Sequence, residues 1–427
     1  MRRGIGTTAL VAALALAATA CGSGDGGSGD GSGSGSDSGE LSGTVTFWDT
    51  SNEAEKAVFE AIAEDFEKKH PEVDVKYVNI GFDDAQNKFK NAANAGEAPE
   101  VMRTEVAWVS DFASLQLIEP LDDVVEDKDD YLPQPWGSTQ YDGTTYALPQ
   151  VTDTLALFYN KALLEKAGVE VPTSVEELKA SADAIKDEAG VTPLYLRGDD
   201  SYWFLPYIYG EGGDLVDAEA KEVTVDGPAG VAAFETIKDL LDEGVAETDL
   251  TDGYANQEKA FNDGDVAMMV NGPWAIAGTL AGDQFKDDPD NLGVAPVLAG
   301  SEGQGAPQGG WNLSVYAGTD PDNMDAAKEF AKYMSSAEVQ QRTTEELSLL
   351  PTRASVYEDE AVKDNQMVQF FKPAVDKAVQ RAWIPEAASL FDPLNKELAK
   401  VIKDAATPQE AADSTAKQYR DLLEGWK

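Results

Sequence analysis

The stretch FNDGDVAMMVNGPWAI, from Phe261 to Ile276, sets an aromatic residue just past a Gly-Pro break at the end of an apolar strand. Proline suits the first position of a helix, where its missing N–H leaves no bond unmade. Trp274 is therefore expected in the first turn of a helix that opens from a strand end, facing a crevice. The same reasoning collects Trp48, Asp49 and Asn52, at the end of GTVTFWD and just beyond it, and Arg103 and Glu105 in EVMRTEV. In open α/β sheets, ligands bind beyond the carboxyl ends of the strands. Rings, carboxylates, an amide and a guanidinium there suit holding a ligand by flat contact and hydrogen bonds. His70 is the one histidine and Cys21 the one cysteine. Cys/His metal sites and Cys–His or Ser–His nucleophile pairs are therefore not expected, nor is a metal or a cofactor. His70, in KKHPEVDV, reads as a solvated helix-end residue.

The elements that must position these residues alternate. GTVTFWD is β-rich. Residues 53–69 place Val58, Phe59, Ile62 and Phe66 on one helical face, with Asn52 as N-cap and Glu55 three residues later. DVKYVNI reads as a second strand, Asp83–Ala95 as a second helix and EVMRTEV as a third strand. This β-α-β alternation predicts an α/β body with largely parallel strands. Further helices are expected after Pro172-Thr-Ser-Val-Glu-Glu-Leu, at 229–243 and at 324–335. The chain beyond the N-terminal segments is too long for one simple core, which predicts two domains.

At the N-terminus, MRRGIGTTALVAALALAATAC reads as an export signal over residues 1–20. Its apolar run is too short and Ala-rich for a membrane span. Cys21 after Ala-Thr-Ala resembles a bacterial lipobox, whose thiol receives a lipid. Residues 21–40 then hold the lipidated Cys and a Gly/Ser/Asp tether that spans roughly 25 Å. The chain is expected at the extracellular face of the cell membrane, lipid-anchored. Its formal charge of −45 opposes nucleic-acid binding, which rests on phosphate neutralisation by Lys and Arg.

EKAFNDGDVAMMVNGPWAI resembles the FxxGxxAMxxNGPW segment of extracellular solute-binding proteins of ABC sugar importers, the maltose/maltodextrin-binding type above all. ALPQVTDTLALFYNKALLEKAGVEVPTSVEEL, PEVMRTEVAWVSDFASLQLIEPL, LLPTRASVY and IPEAASLFDPLNKEL are similar to further segments of that family, in order, from about Gly43 to Trp426. The block MRTEVAWVSDFASL is similar to that of actinobacterial lipoprotein members. The resemblance implies an α/β, two-lobe periplasmic-binding-protein-like fold with a hinge and an inter-lobe ligand cleft. It places one lobe at 41–151 plus 314–366 and the other at 152–313 plus 367–427. It implies a monomer that is not an enzyme, an oligosaccharide ligand, and a membrane permease as partner.

Sugars offer hydroxyls and apolar C–H faces, so a binder needs rings plus carboxylate, amide and guanidinium groups. The resemblance puts Trp274 on the family's stacking tryptophan and Asp153 on its acidic residue after the ALP-like segment. Asp200 and Tyr202 fall on an acidic and an aromatic contact, with Trp203 beside them. Phe391 falls where a second stacking tryptophan stands. Thr104 replaces another family tryptophan, with Arg103, Glu105 and Trp108 as nearby substitutes. Trp311 and Asn312, after two glycines at a lobe crossover, are expected to touch ligand. Trp48 and Trp108 read equally as core, Trp136 and Trp383 as packing, and Arg353 as a loop-fixing ion pair. Two other functions compete. One is a glycoside hydrolase, which needs two carboxyls flanking one bond. The other is a binder of trehalose, another disaccharide, a β-linked oligosaccharide or a peptide.

Overall fold

GTVTFWD alternates, and Val45, Phe47 and Asp49 turn inward to make Gly43–Asp49 a half-buried strand, β1. Asn52 then starts α1 (Glu53–Lys69), its side-chain oxygen accepting from the amides of Ala54 and Glu55 at 2.9 and 3.0 Å. Phe59, Ile62 and Phe66 of α1 are fully buried. Glu55 does not close a capping box; it is buried and turns to Arg103. The remaining strands of this half are β2 (Val73–Asn79), β3 (Val101–Glu105) and β4 (Leu148–Asp153). Helices α2 (Phe82–Ala95) and α3 (Trp108–Ser114) follow β2 and β3.

Only Thr154 and Leu155 separate β4 from β5 (Ala156–Asn160), which belongs to a second sheet. That sheet continues with β6 (Thr192–Tyr195), β7 (Ala246–Glu247), β8 (Val266–Asn271) and β9 (Leu292–Pro296), in the order β7-β6-β8-β5-β9. The chain then returns through β10 (Gly309–Val315) and β11 (Leu350–Pro351), giving a first sheet ordered β11-β4-β10-β3-β1-β2. These facts cover the described residues, Glu40–Lys427 of a computed structural model. The export signal, Cys21 and the tether up to Gly39 lie outside them. No helix among the described residues is long and apolar enough to cross a membrane.

The sheets are mixed rather than largely parallel. β1 runs parallel to β2 and β3, but β10 is antiparallel to β3 and β4, and β5 is antiparallel to β8 and β9. The cause is the return path: a strand arriving from the other sheet enters from the opposite end. This architecture is the two-lobe fold of periplasmic binding proteins.

The crossings fall differently from the expected boundaries. Gly309–Leu313, expected in the second lobe, pair with β3 and β4 of the first. Val356 and Val362, expected in the first lobe, are buried with Ala156, Phe158 and Met269 of the second sheet. We place the boundaries by sheet membership, which keeps β10 whole in the first lobe. Gly310 makes this return possible. Its φ is +130°, and an added Cβ would stand 2.2 Å from the Val151 carbonyl.

Candidate ligand-binding cleft

The strand directions bring two edges together. Trp48, Glu105 and Asp153 lie at the carboxyl ends of β1, β3 and β4, and Trp311 lies near the start of β10, on the same edge. Opposite them, β6 leads into Arg197–Trp203, and β8 ends at Asn271, just before Trp274. Pro273 opens a short 3₁₀ turn, Pro273–Ala275, that runs into a helix at Ile276, as the Gly-Pro break implies. The Trp274 ring is partly exposed and folds back over Gly272, where a Cβ would meet it at 2.1 Å. Its carbonyl receives a 3.4 Å hydrogen bond from Asn52 Nδ2 of the other lobe. Trp274 thus stands at the seam between the lobes.

Each wall has a cation behind its indole. Arg103 is fully buried, with its guanidinium 4.4 Å from the centre of Trp311 and 4.6 Å from Phe59. Gln150 accepts from its Nε at 2.9 Å, and Glu55 and Asp49 lie 3.4 and 3.9 Å from Nη1. Burial pushes the Glu55 carboxyl up, and Arg103 partly offsets this. In the second lobe the Arg197 guanidinium sits 4.1 Å from the centre of Trp203, braced by Asp199 at 2.7 Å. The Trp203 indole donates to the Val270 carbonyl at 2.7 Å and meets Trp274 edge-on at 6.4 Å.

Four of the residues expected to touch ligand, Asp49, Arg103, Trp203 and Asn312, are buried. Asp49 is fully buried and accepts from the Ser51 amide at 3.1 Å and from the Ser51 and Tyr77 hydroxyls. Arg103 lies behind Trp311, and Trp203 behind Trp274. Asn312 is buried and donates to Ser138 Oγ at 3.0 Å. All four stand behind the wall instead of forming its surface, because their side chains are buried against protein neighbours.

A second group gathers at the seam near the crossing strands. Asp153 and Tyr202 converge on Gly309: an added Cβ there would stand 2.1 Å from Asp153 Oδ1 and 2.7 Å from Tyr202 Oη. Glu105 pairs with Arg381, whose Nε also donates to the Gln308 carbonyl at 2.9 Å. The Arg381 guanidinium lies 5.4 Å from the Tyr202 ring centre, and Phe391 lies 6.2 Å from Tyr202 at a 54° tilt. Burial, then the charge of Glu105, pushes the Asp153 carboxyl up to about 7, with Arg381 opposing. Asp200 caps the turn that carries Tyr202 and Trp203, accepting from the Tyr202 amide at 2.9 Å. Its carboxyl is raised chiefly by desolvation, with Arg197 opposing and Asp83 of the first lobe adding to the shift.

Sequence reasoning missed Arg381, Arg197 and Phe82. Arg381, in AVQRAWIPE, carries no spacing signal. Phe82 begins a helix in a stretch read from Asp83 onward. Arg353 has the loop-fixing place expected of it, on Asp130 at 3.1 Å and the Ser335 carbonyl at 2.9 Å. Trp136 packs on Tyr131.

Two sheets joined by crossing strands, with rings and carboxylates on facing edges, define a class of ligand-gripping proteins. Residues 50–341 match the family described as bacterial extracellular solute-binding protein, and the chain belongs to that family. It is 63% identical to the GacH receptor of Streptomyces glaucescens GLA.O, solved unliganded and in complex with acarbose and an acarbose homolog. That alignment covers 91% of this chain and 100% of that chain, with a TM-score of 0.88. A maltose-bound T. maritima MalE3 is 25% identical, over 89% of this chain and 99% of its own, with a TM-score of 0.80. A maltotriose-binding protein of Pyrococcus abyssi is 26% identical over 90% of this chain and 82% of its own.

Proposed function

We propose that the protein captures malto-oligosaccharides in the inter-lobe cleft and hands them, unaltered, to a membrane permease of an ABC importer. The observation that carries this reading is the position of Trp274, half-open at the seam and in contact with the opposite lobe through Asn52. Trp274 and Trp311 supply apolar faces from opposite lobes. Asp153, Asp200, Glu105 and Tyr202 supply hydrogen-bonding groups, while Trp48 and Phe391 extend the ring surface. Ligand held by both lobes binds the closed form better and shifts an open–closed equilibrium toward it. A lipid on Cys21 keeps the binder near the permease and raises its effective concentration there. The maltotriose-binding relative and the maltose-bound structure support the sugar class. The acarbose complexes of the 63%-identical receptor bring acarbose into the ligand range as a second reading.

Calorimetric titration with maltose, maltotriose, maltotetraose and acarbose, beside trehalose and cellotriose, tests this. Saturable binding of the α-linked sugars, with the sugar recovered intact, is expected. Trp274→Ala should weaken that binding by about 1–3 kcal/mol while the fold stays stable. Unchanged affinity in that variant, or cleavage of the sugar, would contradict the reading.

A further inference from the structure

The Trp311 wall does not end at Trp311. Phe82 opens α2 at the carboxyl end of β2 and is 49% exposed. One face of its ring stacks on Trp108, with centroids 5.3 Å apart and planes 21° apart. Trp311 stands perpendicular to both, 5.7 Å from Phe82 and 6.2 Å from Trp108. Trp108 is 5% exposed and held in the cluster of Phe89, Phe112 and Tyr316, so it is a fixed backing. The open side of Phe82 is thus a flat apolar face, braced from behind and at its edge. A surface of this kind offers contact area with little ordering cost to a partner that stacks on it.

Its position points into the cleft. Phe82 follows the carboxyl end of β2 and its ring meets Trp311, so the start of α2 stands on the sheet edge that carries Trp48, Glu105 and Asp153. Asp83 and Asp84 are exposed and can accept from hydroxyls beside the ring.

Resting on the sugar-binding reading above, we infer that Phe82, backed by Trp108 and Trp311, forms an outer subsite. It takes the apolar face of one more sugar ring and sets a preference for longer chains.

Phe82→Ala and Phe82→Trp are titrated with maltose, maltotriose and maltotetraose beside the wild type, with melting temperatures recorded for all three proteins. The inference expects Phe82→Ala to lose about tenfold in affinity for the longest sugar that the wild type prefers, a typical loss for one stacked ring. Maltose affinity should change less than about twofold, Phe82→Trp should restore the preference, and the melting temperatures should agree. An equal loss for every chain length, or no loss for any, overturns the outer subsite while leaving the sugar-binding reading in place. A wild type that binds none of the three overturns both.

Discussion

At the scale of single residues, charge has been moved out of the ligand's reach and put behind the rings. Arg103 and Arg197 each lie flat against an indole instead of facing the cleft. A buried guanidinium is tolerable here because carboxylates and amide oxygens meet it, and removing either side of such a pair leaves an expensive bare charge. Asp153 is different: it is buried beside Glu105 and is held near neutrality in pKa, at about 7. Its folded value lies above its ordinary 3.8, so its contribution to stability is complete below that value and is lost as pH rises toward and through 7. Between pH 5 and 7 the wild type should therefore lose ground to Asp153→Asn by up to about 1.4 kcal/mol per pH unit. Thermal melts of both proteins across that range check this, and parallel curves would count against the burial of an ionisable Asp153.

At the scale of elements, the β8-to-helix turn decides how Trp274 is presented. Gly272 and Pro273 act together. Proline starts the turn, and the bare Gly272 lets the indole fold back within contact distance. Gly272→Ala should displace the ring, because the new Cβ would sit 2.1 Å from it. Ligand affinity should fall by roughly 1–2 kcal/mol, with a smaller change in stability, since the ring can swing toward solvent. Calorimetry paired with melting temperature separates the two; loss of stability alone would place Trp274 in the core. This element was legible because Gly-Pro after an apolar strand has a local meaning. The helix Glu53–Lys69 was legible for the same reason, from its Asn52 cap and its periodicity. Tertiary partners were not. Nothing adjacent to Arg103 says that Glu55 waits across the sheet, nor does anything near Asn312 announce Ser138. The pairing of Gly309–Leu313 with β3 and β4 was not legible, because a strand's sheet is chosen by long-range pairing, which leaves no local mark.

At the scale of the whole molecule, the lobes are tied by a segment whose arginine the sequence patterns passed over. Arg381 pairs with Glu105, Ser110 donates to the Trp383 carbonyl at 3.1 Å, and Ala388 packs on the Phe112 cluster. Segment 381–388 thereby clasps the first lobe close to the crossing strands. Arg381→Met should loosen the clasp, enlarge the radius of gyration of the free protein in small-angle scattering, and weaken ligand binding by roughly 1–3 kcal/mol. An unchanged radius together with unchanged affinity would reduce the pair to a local ornament of the surface.

The central claim is that one ligand is held simultaneously by rings from both lobes. A crystal structure of the protein with bound maltotetraose tests it most directly. The account predicts sugar rings within van der Waals reach, on the order of 4 Å, of both Trp274 and Trp311. A sugar resting on one lobe alone, or bound away from both indoles, would contradict it.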